Sequence, residues 1–107
     1  MVPGEFEQVV LLAVLRLGNN AYGVTVLSEI AKRTGRRIAP GALYTTLDRL
    51  EEKGWLASRM GDPTPARGGR AKRYYTVTAA GAKCVTEAQR AFRSLLEGLP
   101  ILGFSDV

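Results

Sequence analysis

Apolar side chains recur near the start of the chain at Phe6, Val9, Val10, Ala13, Val14 and Leu17, the spacing of one helical face. Leu11, Leu12 and Leu15 widen that stripe, so the pattern predicts a first helix buried on more than one side. Gly18-Asn19-Asn20 ends it, because Gly and Asn tolerate the left-handed conformation at a helix C-terminus. A second helix is predicted from about Gly23 to Arg33, with Val24, Leu27, Ile30 and Ala31 on one face and Gly35 as its stop. After Arg36-Arg37-Ile38, the run Ala39-Pro40-Gly41 opens a third helix, since proline costs nothing in a first turn. That helix carries Leu43, Leu47 and Leu50 inward and stops at Gly54. Its other face shows Gly41, Thr45, Asp48, Arg49 and Glu52, flanked by Ala42 and Tyr44.

The helical period is then lost over Trp55 to Met60, and Arg73 to Thr78 has the β-branched and aromatic composition of a strand. Between them Gly61 to Ala71 is rich in Gly and Pro and has no large apolar side chain, which predicts a hairpin with a long basic tip. Thr78 can cap a fourth helix from Ala79 to Leu96 or slightly beyond. Its apolar positions Val85, Ala88, Phe92, Leu95 and Leu99 are spaced as a short heptad seam. The tail after Pro100 is expected to be frayed or loosely docked. Three helices followed by a hairpin and one more helix make a mainly α chain with a small β-hairpin. That is the order of a winged helix-turn-helix. The predicted parts are a winged domain over 1–78, a C-terminal dimerisation helix over 79–99 and a tail over 100–107.

Charge sharpens this picture. The 107 residues hold 15 Lys+Arg against 10 Asp+Glu, a net charge of +5. Eleven basic and four acidic residues fall between Lys32 and Arg73, a surplus of seven, while the rest of the chain has two more acids than bases. A basic middle between acidic ends points to a polyanion. There is no histidine and one cysteine, Cys84, so neither a disulfide framework, a Cys/His metal site nor a His-based catalytic triad can be built. No cofactor or metal is expected, and Cys84 reads as a small buried residue in a reducing compartment. The longest apolar run, Val9 to Leu15, is far below the ~20 residues of a membrane span. It follows Glu5 and Glu7 rather than Lys or Arg, so a secretory signal is not expected and the chain reads as cytoplasmic. A single core is marginal at this length, so self-association is expected to help.

A helix offered to the DNA major groove needs small residues at its N-terminal end to approach base edges and phosphates, and Pro40, Gly41 and Ala42 supply them. The run Pro40-Gly41-Ala42-Leu43-Tyr44-Thr45-Thr46-Leu47-Asp48-Arg49-Leu50-Glu51-Glu52-Lys53-Gly54-Trp55-Leu56 resembles the PadR family of bacterial transcriptional regulators. So do Ala21-Tyr22-Gly23 and Arg73-Tyr74-Tyr75-Thr76-Val77-Thr78-Ala79-Ala80-Gly81, and the likeness spans roughly residues 5 to 97. The resemblance implies a homodimer that binds a roughly palindromic operator and represses, paired through the last helix against the partner's first. It also implies release by a small aromatic or drug-like effector, although one helix after the wing leaves little room for a dedicated effector domain.

The expected double-stranded DNA contacts are therefore Arg36 and Arg37 in the turn, Pro40, Gly41, Ala42, Tyr44, Thr45 and Arg49 on the third helix, and Arg67, Gly68, Arg70 and Lys72 in the wing. Tyr44 has two readings, a phosphate or base contact and packing against the second helix, with the first favoured. The expected dimer interface is Phe6, Val9, Val10 and Ala13 on the first helix with Val85, Ala88, Phe92, Leu95 and Leu99 on the last. Trp55 is expected to pack on the hairpin rather than to stack on a ligand. The competing reading is a winged-helix module whose basic face meets an acidic protein; an enzyme is not expected.

Overall fold

The computed structural model describes residues 2–61 and 71–100. Its elements run α1 Glu5–Leu17, α2 Gly23–Thr34, α3 Pro40–Glu52, β1 Leu56–Met60, β2 Arg73–Val77 and α4 Ala79–Leu96, with a short 3-10 turn at Gly18–Asn20. Each start has a local cause. At α1 the Glu7 carboxylate accepts the Gly4 N–H at 2.8 Å, and at α2 the Thr25 hydroxyl accepts the Tyr22 N–H at 2.9 Å. Helix α3 begins with Pro40 in its first turn. At α4 the Thr78 hydroxyl accepts the Gly81 N–H at 3.1 Å.

The core lies where α1, α2 and α3 meet the hairpin. Val10, Leu11 and Val14 enter from α1, Val26 and Ile30 from α2, Leu43, Leu47 and Leu50 from α3, and Trp55, Leu56, Tyr75 and Val85 close it. Strands β1 and β2 pair antiparallel, with Leu56 opposite Val77, Ser58 opposite Tyr75 and Arg59 opposite Tyr74. On the outer side of β2 the Tyr75 N–H donates to the Ala21 carbonyl at 2.8 Å, so the link between α1 and α2 adds a third edge to the hairpin. Tyr75 points into the core and its neighbour Tyr74 is half-buried on the other face.

Two sequence expectations change. The inward face of α2 is Gly23, Val26 and Ile30 with Leu27 beside them, whereas Val24 is 64% exposed and Ala31 also faces outward. Val24 stands one residue, about 100°, off the stripe, and its apolar character alone could not say so. Val10, Ala13 and Val85, expected at a dimer seam, are buried inside the protomer's own core. Helix α4 leaves the body after its first turns: Gly81 and Val85 are buried, while Phe92 and Leu95 are 62% and 77% exposed. Among the described residues no helix is long and apolar enough to cross a membrane. The expected tail and the tip residues Arg67, Gly68 and Arg70 lie outside the described residues.

The start of α4 is seated by close approach. A Cβ on Gly81 would overlap the Trp55 carbonyl oxygen and lie 3.0 Å from its carbon. Thr78 fixes the same corner, its hydroxyl donating to the Gly54 carbonyl at 2.6 Å and its N–H to the Trp55 carbonyl at 3.0 Å. Gly54 itself has φ of 80°, which lets the chain turn from α3 into the wing.

Lys53 joins the end of α3 to the start of α1. Its ammonium donates to Glu7 at 2.6 Å and lies 4.9 Å from the Trp55 ring centre. Burial acts to raise the Glu7 carboxyl, but the hydrogen bonds from Lys53 and the Gly4 N–H, with the positive fields of Lys53 and Arg49, outweigh it and hold the group below its ordinary value. A depressed carboxyl adds stability that is complete above its unfolded value of about 4.3 and is lost as pH falls through the lower folded value. Chemical denaturation at a series of pH values should show stability falling below about pH 4.3, and less steeply in Glu7→Gln than in the parent. Equal acid dependence in the two proteins would contradict this role for Glu7.

Candidate nucleic-acid interface

Helix α3 is held by one side and presents the other. Leu43, Thr46, Leu47 and Leu50 are buried, and Pro40, Gly41, Ala42, Tyr44, Thr45, Asp48 and Arg49 are exposed. Small residues occupy the first turn, so the backbone there is open to a close-fitting surface. Arg49 and Arg37 are exposed, and neither belongs to an ion pair among the described residues.

Tyr44 combines both of its sequence readings. Its hydroxyl end rests on Gly23, where an added Cβ would lie 2.8 Å from Cζ and overlap the oxygen. The side chain still exposes 47% of its surface beside the α3 N-terminus. It packs on α2 and remains reachable, which explains why a glycine follows Tyr22.

Arg36 is placed differently from the expectation of an open phosphate contact. Its guanidinium donates to both Glu5 carboxylate oxygens, at 3.1 and 2.9 Å, and lies 5.5 Å from the Phe6 ring centre. It braces the turn before α3 against the start of α1. Lys72, just before β2 at the outer end of the strand pair, lies over the Tyr22 ring at 4.3 Å. Arg73, at the start of β2, reaches the Ser58 hydroxyl at 3.4 Å, and that hydroxyl donates to Glu51 at 2.6 Å.

The remaining expected interface residues split. Phe6, Val9 and Ala88 are half-buried, and Phe92, Leu95 and Leu99 are exposed. Outside the expected interface set, Leu12 and Leu15 are 39% and 46% exposed and line a groove of about 380 Å³ with Val85, Gln89 and Arg93. Their signal was present in the stripe that widens α1 beyond one face. Gln8 and Gln89, which sequence reasoning missed, join α1 to α4 through an amide–amide hydrogen bond of 2.7 Å. Cys84 is half-buried, and burial pushes its thiol above the ordinary value, which suits packing rather than reactivity. Among the described residues no group of three or more His, Cys, Asp or Glu side chains could hold a metal ion.

Three helices, a two-stranded wing and an outward-facing third helix define a winged helix-turn-helix protein of the DNA-binding class. The chain matches the PadR-like family of transcriptional regulators over residues 11–87 and belongs to that family, whose members regulate transcription and are not enzymes. It is 42% identical over 79 residues to the transcriptional regulator Rv3488 of Mycobacterium tuberculosis, covering 72% of this chain and 67% of that protein. Among solved structures it is similar to a PadR family transcriptional regulator from Eggerthella lenta, with 28% identity, a TM-score of 0.68 and coverage of 88% and 81% of the two chains. A PadR-like transcription factor from Bacteroides fragilis shares the fold, with a TM-score of 0.71 at 23% identity over 84% of this chain and 82% of that one.

Two of the close-approach glycines, Gly23 and Gly81, should respond differently to substitution. In Gly81→Ala the new methyl meets backbone, and a stability loss of about 1–3 kcal/mol is expected. In Gly23→Ala it meets the movable end of Tyr44, so the loss should stay below about 1 kcal/mol while the Tyr44 ring resonances shift. Denaturant titration and ring chemical shifts check both. Equal losses with an unmoved Tyr44 ring would contradict the packing described.

Proposed function

We propose that this chain is a homodimeric, sequence-specific DNA-binding repressor. In this reading α3 enters the major groove and the wing follows the adjacent minor groove or backbone. One observation carries the DNA-reading half: α3 is locked on its leucine side while Gly41, Ala42, Tyr44, Thr45 and Arg49 face outward together. Such a surface offers small residues for approach, hydroxyls for hydrogen bonding and an exposed arginine for base or phosphate. Arg37 and Lys72 extend it along the backbone. Bound across a promoter, the dimer would exclude polymerase, which gives repression as the sign.

The dimer half is supported by α4. A single helix of this length is marginal in water without an apolar partner, and its outer turns expose Phe92 and Leu95. A second copy's helices, laid over Leu12 and Leu15 on one side of α4 and over Phe92 and Leu95 on the other, would cover them. That arrangement would also set two α3 helices about 34 Å apart, the repeat of the major groove. No feature of the geometry selects an aromatic effector for this interface, and the proposed function does not include one.

Affinity for a duplex of the chain's own promoter should fall steeply with salt. Arg49→Ala and Tyr44→Phe should each weaken it by about 1–3 kcal/mol, and a reporter under that promoter should rise in both variants. Binding indifferent to salt and to both substitutions, or retention by an acidic protein but not by duplex DNA, would overturn the reading. Leu95→Glu should convert the dimer to a monomer in sedimentation while leaving the helical spectrum of the body in place. A dimer that survives this change would remove α4 from the interface.

A further inference from the structure

On the outer face of the wing, four side chains from three segments stack together. Lys72 lies 4.3 Å from the centre of the Tyr22 ring, Tyr22 meets Tyr74 edge to face at 5.4 Å, and Arg59 lies 4.8 Å from the centre of Tyr74. The strand register creates half of this cluster by setting Arg59 opposite Tyr74. The other half comes from the α2 start, where Tyr22 precedes the Gly23 on which Tyr44 rests. The Gly61 N–H donates to the Lys72 carbonyl at 2.7 Å, closing the strands at this point.

We propose that Arg59 and Lys72 form a phosphate-binding platform at the outer end of the wing strands, held by the rings of Tyr74 and Tyr22, that grips the DNA backbone next to the α3 contact. It rests on the DNA-reading function above and adds a residue, Arg59, and a means of positioning that function does not require. A cation over an aromatic face loses conformational freedom but keeps its outward N–H donors available. Neither cation takes part in an ion pair: among the described residues those pairs are Arg16 and Arg33 with Glu29, Arg36 with Glu5, and Lys53 with Glu7. Rings hold these two charges, whereas carboxylates hold Arg16, Arg33, Arg36 and Lys53. A ring fixes a cation without neutralising it, so the charge remains to meet an anion. The anion is a backbone phosphate because Tyr22, at one edge of the platform, is followed by Gly23, on which Tyr44 of the exposed α3 start rests.

Binding of the full chain to a random-sequence duplex, measured against salt concentration, tests this. Arg59→Gln should flatten the plot of log affinity against log salt by about 0.9, the contribution of one phosphate. Tyr74→Phe keeps the ring and should behave as the parent. Tyr74→Leu keeps the charge but frees Arg59, and should lose about two- to fivefold in affinity. Partial unfolding lowers apparent affinity at every salt concentration without changing the slope, so the slope separates contact from stability. An Arg59→Gln slope equal to the parent's overturns the platform. If Arg49→Ala still weakens promoter binding in that case, DNA reading stands without it. A parent chain that binds no duplex at low salt overturns both.

Discussion

The contact on which the other parts depend is the corner where the α3 exit, the wing base and the α4 start come together. Thr78 binds the Gly54 carbonyl with its hydroxyl and the Trp55 carbonyl with its N–H, and also caps α4. Gly81 then brings the α4 backbone onto Trp55 at a distance no side chain permits. Two residues thus fix the angle between the helix offered to DNA and the helix that leaves the body. In a dimer that angle sets the direction and separation of the two reading helices, so the corner is a geometric determinant of which half-site spacing fits. It also explains why threonine and glycine stand three positions apart here: one supplies the cap, the other the room.

Electrostatics divides the molecule in the same way. Arg16, Arg33, Arg36 and Lys53 are spent on carboxylates that tie α1 to α2, to the turn before α3 and to the end of α3. Exposed pairs of this kind contribute little to stability, but the half-buried Glu7–Lys53 pair sits at a junction of three elements. Among the described residues Arg37, Arg49, Arg59 and Lys72 take part in no such pair. The basic surplus of the middle segment therefore divides into charges tied into the scaffold and charges left open to an anion, and a count of charges cannot tell them apart.

Much of this was legible in the chain. Helix boundaries could be read because Gly18, Gly35 and Gly54, Pro40 and Thr78 punctuate an apolar period, and each acts where it stands. The outward face of α3 followed from three leucines. What was not legible depended on direction. Val24 and Val26 are equally apolar, and only packing decides which turns inward. Val85 reads as one more position of a heptad, yet α4 departs from the body beyond it, so Val85 belongs to the core and Phe92 does not. Arg36 lies 31 residues from Glu5, and no local pattern announces that pair. The ring-held cations are hidden for the same reason: Arg59 meets Tyr74 through strand register, and Lys72 meets Tyr22 through tertiary folding alone.

The small core sets the final constraint. A domain of this size buries a modest fraction of its chain, and here the buried side chains serve the first three helices, the wing and the first turns of α4. The outer turns of α4 add length without adding core. Left bare they would cost stability and solubility, since Phe92 and Leu95 face water and helix formation alone is too weak to order them. Leu12 and Leu15, on the side of α1 turned away from its own core, carry the same cost. Two incomplete apolar surfaces on one chain become complete when two chains share them. In the proposed homodimer the outer half of α4 would gain its order from association, and the DNA-reading heads would gain their relative position from the same event. Folding and operator recognition would accordingly respond together to protein concentration.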